Sequence, residues 1–318
     1  MKPRILFMGT PEFAVPSLNA LCEAGLTPMA VVTAPDKPRG RGQRLSPTAV
    51  KAAALEHGIE TILQPESVKD PEFAAKVREL RPDVIVVVAF RILPAAVFTA
   101  ARLGAFNLHG SLLPRWRGAA PINRAIMAGD TETGVTTFFL KEQVDTGSII
   151  LKRRMSIGPD ETAGSVHDRM MVLGAEAVVD TTRMILDGTA EAQPQDDALA
   201  TPAPRIFPDD CRVDWTRTAA EVHNHIRGLS PYPGAWTMHD GTLLKLYLSR
   251  PCGTAASPIR KPDLVLAPGE VHVEDNRLLV GCADGPLELL EVQQAGKRRL
   301  PAQDFLNGYP VSSGDRLE

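Results

Sequence analysis

Residues 83–90 read Asp83-Val-Ile-Val-Val-Val-Ala-Phe90. From Val84 onward every position is apolar and five in a row are β-branched, the composition of a strand buried on both faces at the centre of a parallel sheet. The run falls far short of the ~18 apolar residues that a membrane-crossing helix needs, so it belongs to a folded core and no membrane partner is expected.

Working outward, strand-like and helix-like segments alternate. Residues 5–8 form a short strand, and Pro11 and Pro16 then open a helix that Gly25 closes. Proline suits the first turn of a helix, where its missing N–H costs nothing, and glycine supplies the left-handed closing residue. A strand at 29–33, a helix opened by Ser46-Pro47 and running to about His57, and a helix at 72–81 lead up to the quoted run. Strands at 105–108, 134–140 and 148–155 follow it, with helices at 120–128 and about 163–187. This alternation predicts a doubly wound α/β domain. From Gly188 to Pro208 the periodicity fades into Gln193-Pro-Gln-Asp-Asp197 and the prolines 202, 204 and 208, the texture of an interdomain connection. Beyond it, short strands at 242–249, 269–274, 278–282 and 287–293, with one helix at 219–229, predict a small β-barrel. A chain of 318 residues has room for two domains, placed at 1–190 and 209–318 with 191–208 as the connection.

The 35 Lys and Arg against 38 Asp and Glu give a net charge of −3, so any polyanion must be held by local charge. The cysteines Cys22, Cys211, Cys252 and Cys282 stand far apart, without a CxxC pair; they read as reduced thiols in a cytoplasmic protein, with no metal site. The glycine fingerprint of dinucleotide binding is missing after the first strand, as are the P-loop, HExxH and GxSxG patterns.

The segment Ala105-Phe-Asn-Leu-His-Gly-Ser-Leu-Leu-Pro-Arg-Trp-Arg-Gly-Ala-Ala-Pro121 carries the most chemical information. Asn107 and His109 are two apart on a strand and so share a face, at a strand end where open α/β sheets place their ligands. Downstream, Asp145-Thr146-Gly147 is a turn-type triplet that holds a carboxylate. An Asn/His/Asp set can stabilise an oxyanion and move a proton. Judged by spacing alone, a His-Gly-Ser near a strand end is more often structural than catalytic.

Asn107-Leu-His109-Gly-Ser-Leu-Leu-Pro114-Arg-Trp-Arg-Gly-Ala-Ala-Pro121 with the downstream Asp145-Thr-Gly resembles the signature of the 10-formyltetrahydrofolate-dependent formyltransferases. Three segments narrow the resemblance to the methionyl-tRNA formyltransferases: Phe7-Met-Gly-Thr-Pro-Glu-Phe-Ala-Val-Pro16, Ala34-Pro-Asp-Lys-Pro-Arg-Gly-Arg-Gly-Gln-Arg44 with Ser46-Pro47 and Val50-Lys51, and Ile226-Arg-Gly-Leu-Ser-Pro-Tyr-Pro-Gly-Ala235. Glu291-Val-Gln-Gln-Ala-Gly-Lys297 and Asp304-Phe-Leu-Asn-Gly308 match as well. The resemblance implies a Rossmann-like N-terminal formyltransferase domain and a C-terminal OB-fold-like barrel that binds tRNA. It implies formyl transfer from 10-formyltetrahydrofolate to the α-amino group of methionine on initiator tRNA, without metal, by a monomer. Asn107, His109 and Asp145 become the catalytic set, and Ser111, Leu112, Leu113 and Pro114 the folate contact. Two stretches depart from the pattern: Lys141-Glu-Gln-Val144 before Asp145, and Phe90-Arg-Ile-Leu-Pro94.

The loop after the second strand sets Lys37, Arg39, Arg41, Arg44 and Lys51 against Asp36. Charge alone fits a solvated loop; beside the resemblance it fits a contact to tRNA phosphates, as does Lys297-Arg298-Arg299. Trp116, between Arg115 and Arg117, can stack on a ligand or simply pack. His223 and His225 are two apart on a helix and do not share a face. Competing readings are a folate-dependent formyltransferase acting on a nucleotide-sugar or purine-pathway amine, and a non-catalytic RNA-binding protein on the same fold.

Overall fold

The computed structural model describes residues 2–39, 44–253 and 264–318, with the backbone alone for Arg39 and Arg44. The chain divides into two compact units. The first comprises Met1–Pro121, Thr133–Ser156 and His167–Ala203; the second comprises Ile122–Glu132, Ile157–Val166 and Pro204–Glu318.

The elements of the first part of the chain are β1 (Ile5–Gly9), α1 (Val15–Glu23), β2 (Ala30–Val32), β3 (Lys37–Arg39), β4 (Arg44–Ser46), α2 (Ala49–Glu56), β5 (Ile62–Leu63), α3 (Pro71–Glu79) and β6 (Val84–Val88). They continue with α4 (Ala95–Phe98), β7 (Gly104–His109), β8 (Arg117–Gly118), α5 (Pro121–Met127), β9 (Glu132–Phe139), β10 (Ile149–Ser156), α6 (Ala163–Leu186) and β11 (Pro202–Ala203). The main sheet of the first unit runs β10-β9-β7-β6-β1-β2-β5. β6, the opening apolar run, lies at its centre, parallel to both β1 and β7, and all five of its residues are buried. Leu6, Met8, Ile85 and Val87 meet Phe73 and Val77 of α3 in one core.

Helix starts follow side-chain caps. α2 begins at Ala49, just beyond the expected Ser46-Pro47 opening, because the hydroxyl of Thr48 before it accepts the Lys51 N–H at 3.1 Å. Asp70 caps α3 in the same way, with proline in its first turn. Residues 37–39 and 44–46, expected within an open loop, pair as an antiparallel hairpin.

The stretch expected as a free connection is mostly part of the first unit, which extends to Ala203 instead of ending near 190. Gln193 exchanges two backbone hydrogen bonds with Ile149, at 2.7 and 2.8 Å, and β11 pairs in parallel with β8. Polar side chains and backbone groups, not an apolar period, tie it down.

The second unit contains α7 (Ala219–Leu229), β12 (Ala235–His239), β13 (Thr242–Pro251), β14 (Val271–Glu274), β15 (Arg277–Cys282), β16 (Gly285–Gln294), β17 (Leu300–Pro301) and α8 (Ala302–Leu306). Its sheet is antiparallel in the order β12-β13-β16-β15-β14, with β17 on β16. Residues 315–318 bridge the two edges: Leu317 N–H bonds Gly269 and Asp315 C=O bonds Val271, each at 2.8 Å, while Glu318 exchanges two bonds of 2.9 Å with Met238. Covering both edges closes the sheet into a barrel. Val222, Ile226 and Leu229 of α7 pack against Leu244, Leu246, Leu289 and Val292 inside it. No helix among the described residues is long and apolar enough to cross a membrane.

Candidate active site

β7 presents Asn107 and His109 on one face through the two-residue strand period, opposite Phe138 and Thr136 of β9. The His109 ring is 6% exposed. Its Nε2 lies 2.8 Å from the carbonyl oxygen of Trp116; a carbonyl only accepts, so Nε2 carries the hydrogen. Nδ1 therefore faces Asp145, with 3.9 Å between Nδ1 and Oδ2, too long for a hydrogen bond and close enough for charge to be felt. Asp145 Oδ2 accepts the Gly118 N–H at 3.0 Å.

The turn holding Asp145 is tightly determined. Asp145 sits at φ +57°, in the left-handed region that aspartate tolerates better than most residues. Two positions on, a Cβ on Gly147 would lie 1.6 Å from the Phe139 oxygen, so only glycine fits. Gln195 Nε2 donates to the carbonyls of both Asp145 and Gly147 at 2.8 Å.

The loop between His109 and β8 rests on Thr136, whose hydroxyl accepts the Leu113 N–H at 3.0 Å and donates to the Ser111 carbonyl at 2.7 Å. Ser111 in turn donates to the Arg115 carbonyl at 2.6 Å. The Leu113-Pro114 bond is cis and Trp116 sits at φ +61°, with its N–H on the Thr201 hydroxyl at 2.9 Å. Of the expected folate contacts, Ser111 and Leu113 are fully buried and support the loop, whereas Leu112 and Pro114 are partly exposed.

Asn107 Oδ1 is buried without a hydrogen-bond partner among the described residues. A buried acceptor left unpaired is costly, and this one lies on the same face as His109, where a substrate N–H would satisfy it. An amide, an imidazole and a carboxylate grouped in this way suit an amine attacking a carbonyl carbon.

The basic residues divide into exposed and committed ones. Lys37 is exposed, and Arg41 lies outside the described residues. Lys51 is committed: its ammonium bonds Asp36 at 2.6 Å and Gln64 at 2.8 Å, and the Lys51 bond together with the Gln64 amide donating to Asp36 at 2.8 Å holds the Asp36 carboxyl below the usual carboxylate range. In the barrel, Lys297 and Arg298 are exposed. Arg299 bonds Glu291 at 2.5 Å and lies 4.1 Å over the Tyr247 ring. Burial pushes the His223 and His225 imidazoles down; His223 is held by Ser249 at 3.0 Å and the Pro159 carbonyl at 3.1 Å. No cluster of three or more His, Cys, Asp or Glu among the described residues could hold a metal.

Spacing overlooked Thr136, Gln195, Thr201 and the Trp116 carbonyl. Only Thr136-Thr137, a polar pair set between Val135 and Phe138 in a largely buried strand, left a local signal.

The formyl transferase family matches residues 1–182, and its C-terminal domain matches residues 205–310. The methionyl-tRNA formyltransferase of Chlorobium luteolum is 53% identical over 309 residues, 96% of each chain. That of Geobacter metallireducens is 47% identical over 314 residues, 98% of each. In fold, the chain is similar to the N-formyltransferase of Helicobacter canadensis, solved with folinic acid and dTDP-3-aminofucose (TM-score 0.67, 17% identity, 90% of this chain and 98% of that one). It is also similar to HypX of Aquifex aeolicus, solved with tetrahydrofolic acid (TM-score 0.64, 19% identity, 98% of this chain); the chain spans about half of HypX, 49%. This chain belongs to the formyltransferase family and, within it, to the methionyl-tRNA formyltransferases.

Proposed function

We propose that this protein transfers the formyl group of 10-formyltetrahydrofolate to the α-amino group of methionine esterified to initiator tRNA. The observation that carries the reading is the near-full-length identity to proteins bearing that name, and the chemistry of the site agrees with it.

A free α-amino group titrates near 7.7–8.0, and an adjacent ester lowers that value, so much of the amine is already a neutral nucleophile. The larger barrier is the negative charge that grows on the formyl oxygen as the new C–N bond forms. The Asn107 amide and the His109 imidazole face that oxygen; preorganised donors at a developing charge are each worth about 3–4 kcal/mol. Asp145 lies beside the imidazole, 3.9 Å from Nδ1. It also takes the proton that the attacking nitrogen sheds and returns it to N10 of the departing folate as the old C–N bond breaks. Leu112 and Pro114 border the donor, over the support of Ser111 and Leu113.

The chemistry belongs to the N-terminal domain and RNA holding is shared with the barrel. Lys37, Arg39, Arg41, Arg44, Lys297 and Arg298 contact phosphates, while Lys51 and Arg299 brace their neighbours. The protein acts as a cytoplasmic monomer. The test is formyl transfer to Met-tRNA measured beside a nucleotide-sugar amine. Formylated Met-tRNA is the expected product, and exclusive use of the sugar amine overturns the reading.

A further inference from the structure

Gln195 belongs to the stretch that returns to the site after α6. Both hydrogens of its amide are used, one on the Asp145 carbonyl and one on the Gly147 carbonyl, each at 2.8 Å. Its Oε1 accepts from Arg117 Nε at 3.1 Å and Nη2 at 2.8 Å, and Arg117 Nη2 also bonds Asp197 at 2.7 Å. Two carbonyls need donors and a guanidinium needs an acceptor, so the amide has one orientation. Arg117 stands between Trp116, whose carbonyl holds His109, and Gly118, whose N–H holds the Asp145 carboxylate. One side chain thus ties the segment that orients the imidazole to the turn that carries the carboxylate, and it does so at the left-handed residue of that turn.

We infer that Gln195 is a positioning residue for formyl transfer: its two donated bonds hold Asp145 in the left-handed conformation that sets the carboxylate beside His109 Nδ1. This rests on the transfer reaction proposed above. Gln195 touches no reacting atom, and its effect passes through Asp145.

Gln195→Glu and Gln195→Met separate the possibilities. The carboxylate keeps an acceptor for Arg117 and loses both donors; the thioether loses all four bonds. If the donors matter, both variants lose kcat by roughly 10–100-fold, the scale of a misplaced catalytic group. KM for Met-tRNA and for the formyl donor should hold within about twofold, Tm should stay near the wild-type value, and the pH dependence of kcat should shift as the spacing of Asp145 and His109 changes. Wild-type kcat and pH profile in Gln195→Glu would overturn the inference, because the Arg117 anchor alone would then suffice. A loss of rate that merely follows a fall in Tm would overturn it as well. Should the wild-type enzyme formylate the sugar amine in place of Met-tRNA, the function is wrong, and the same two variants are compared on that amine.

Discussion

Trp116 holds His109 by a main-chain oxygen, 2.8 Å from Nε2, which turns the other ring nitrogen toward Asp145 at 3.9 Å. In a serine-protease triad the carboxylate itself grips the imidazole; here the backbone grips it, and the carboxylate accepts the Gly118 N–H instead.

Asp145→Asn keeps an oxygen for the Gly118 N–H and removes the proposed proton acceptor. The expected outcome is a kcat lower by about 10²–10³-fold, with KM for Met-tRNA nearly unchanged. Rapid-quench single-turnover measurements read the chemical step directly, and turnover at the wild-type rate would remove Asp145 from the mechanism.

Gly147→Ala forces its new carbon into the Phe139 carbonyl. We expect a loss of about 2–4 kcal/mol in urea unfolding together with lost activity. Gly188→Ala is the control: its φ is also positive, at +70°, but nothing lies within 4 Å of the added carbon, so it should cost only about 1 kcal/mol. Equal losses in the two variants would show that close approach at Gly147 is not the constraint.

Lys37 and Lys51 should separate in salt titrations. Removing the exposed Lys37 should raise KM for tRNA and reduce the slope of log K against log salt by roughly 0.7–0.9, the share of one phosphate contact. Lys51→Met breaks the contacts to Asp36 and Gln64; it should raise KM while leaving that slope in place. A slope that falls only in Lys51→Met would reverse the two roles.

His223 should contribute to acid sensitivity. Burial favours its neutral form, so its folded pKa lies below the ~6.5 of an exposed imidazole. Between those two values the unfolded chain binds more protons, and stability rises with pH there. The contribution is complete above about pH 6.5 and is lost as pH falls toward the depressed folded value; His225 is shifted the same way by burial. Denaturation at about pH 7.5 and pH 5 should show a smaller acid loss in His223→Gln than in wild type. Parallel losses would assign the acid sensitivity to other groups.

The sheet and the barrel were legible because their signals are local and periodic. β6 is apolar at each position, and α7 matches its expected bounds because Thr218 and Glu221 cap it reciprocally ahead of an apolar 3.6-residue stripe. Asn107 and His109 could be placed on one face from the strand period alone. The Trp116 carbonyl could not, since its direction follows from a left-handed tryptophan, which has no sequence signature. Gln195 and Thr201 were hidden for another reason: they act through polar side chains on partners 78 and 85 positions away, within a Pro- and Asp-rich stretch that reads as a linker.

That separation orders events on the ribosome. The central strands, Asn107, His109 and Asp145 are all synthesised before Gln195 and Thr201 exist to clamp them. The sheet strands are therefore complete in the chain before the side chains that brace the Asp145 turn and the Trp116 segment are made. For the same reason, an expression fragment cut at residue 190 would keep Asn107, His109 and Asp145 and lose the hydrogen bonds of Gln195 and Thr201 to the segments around them.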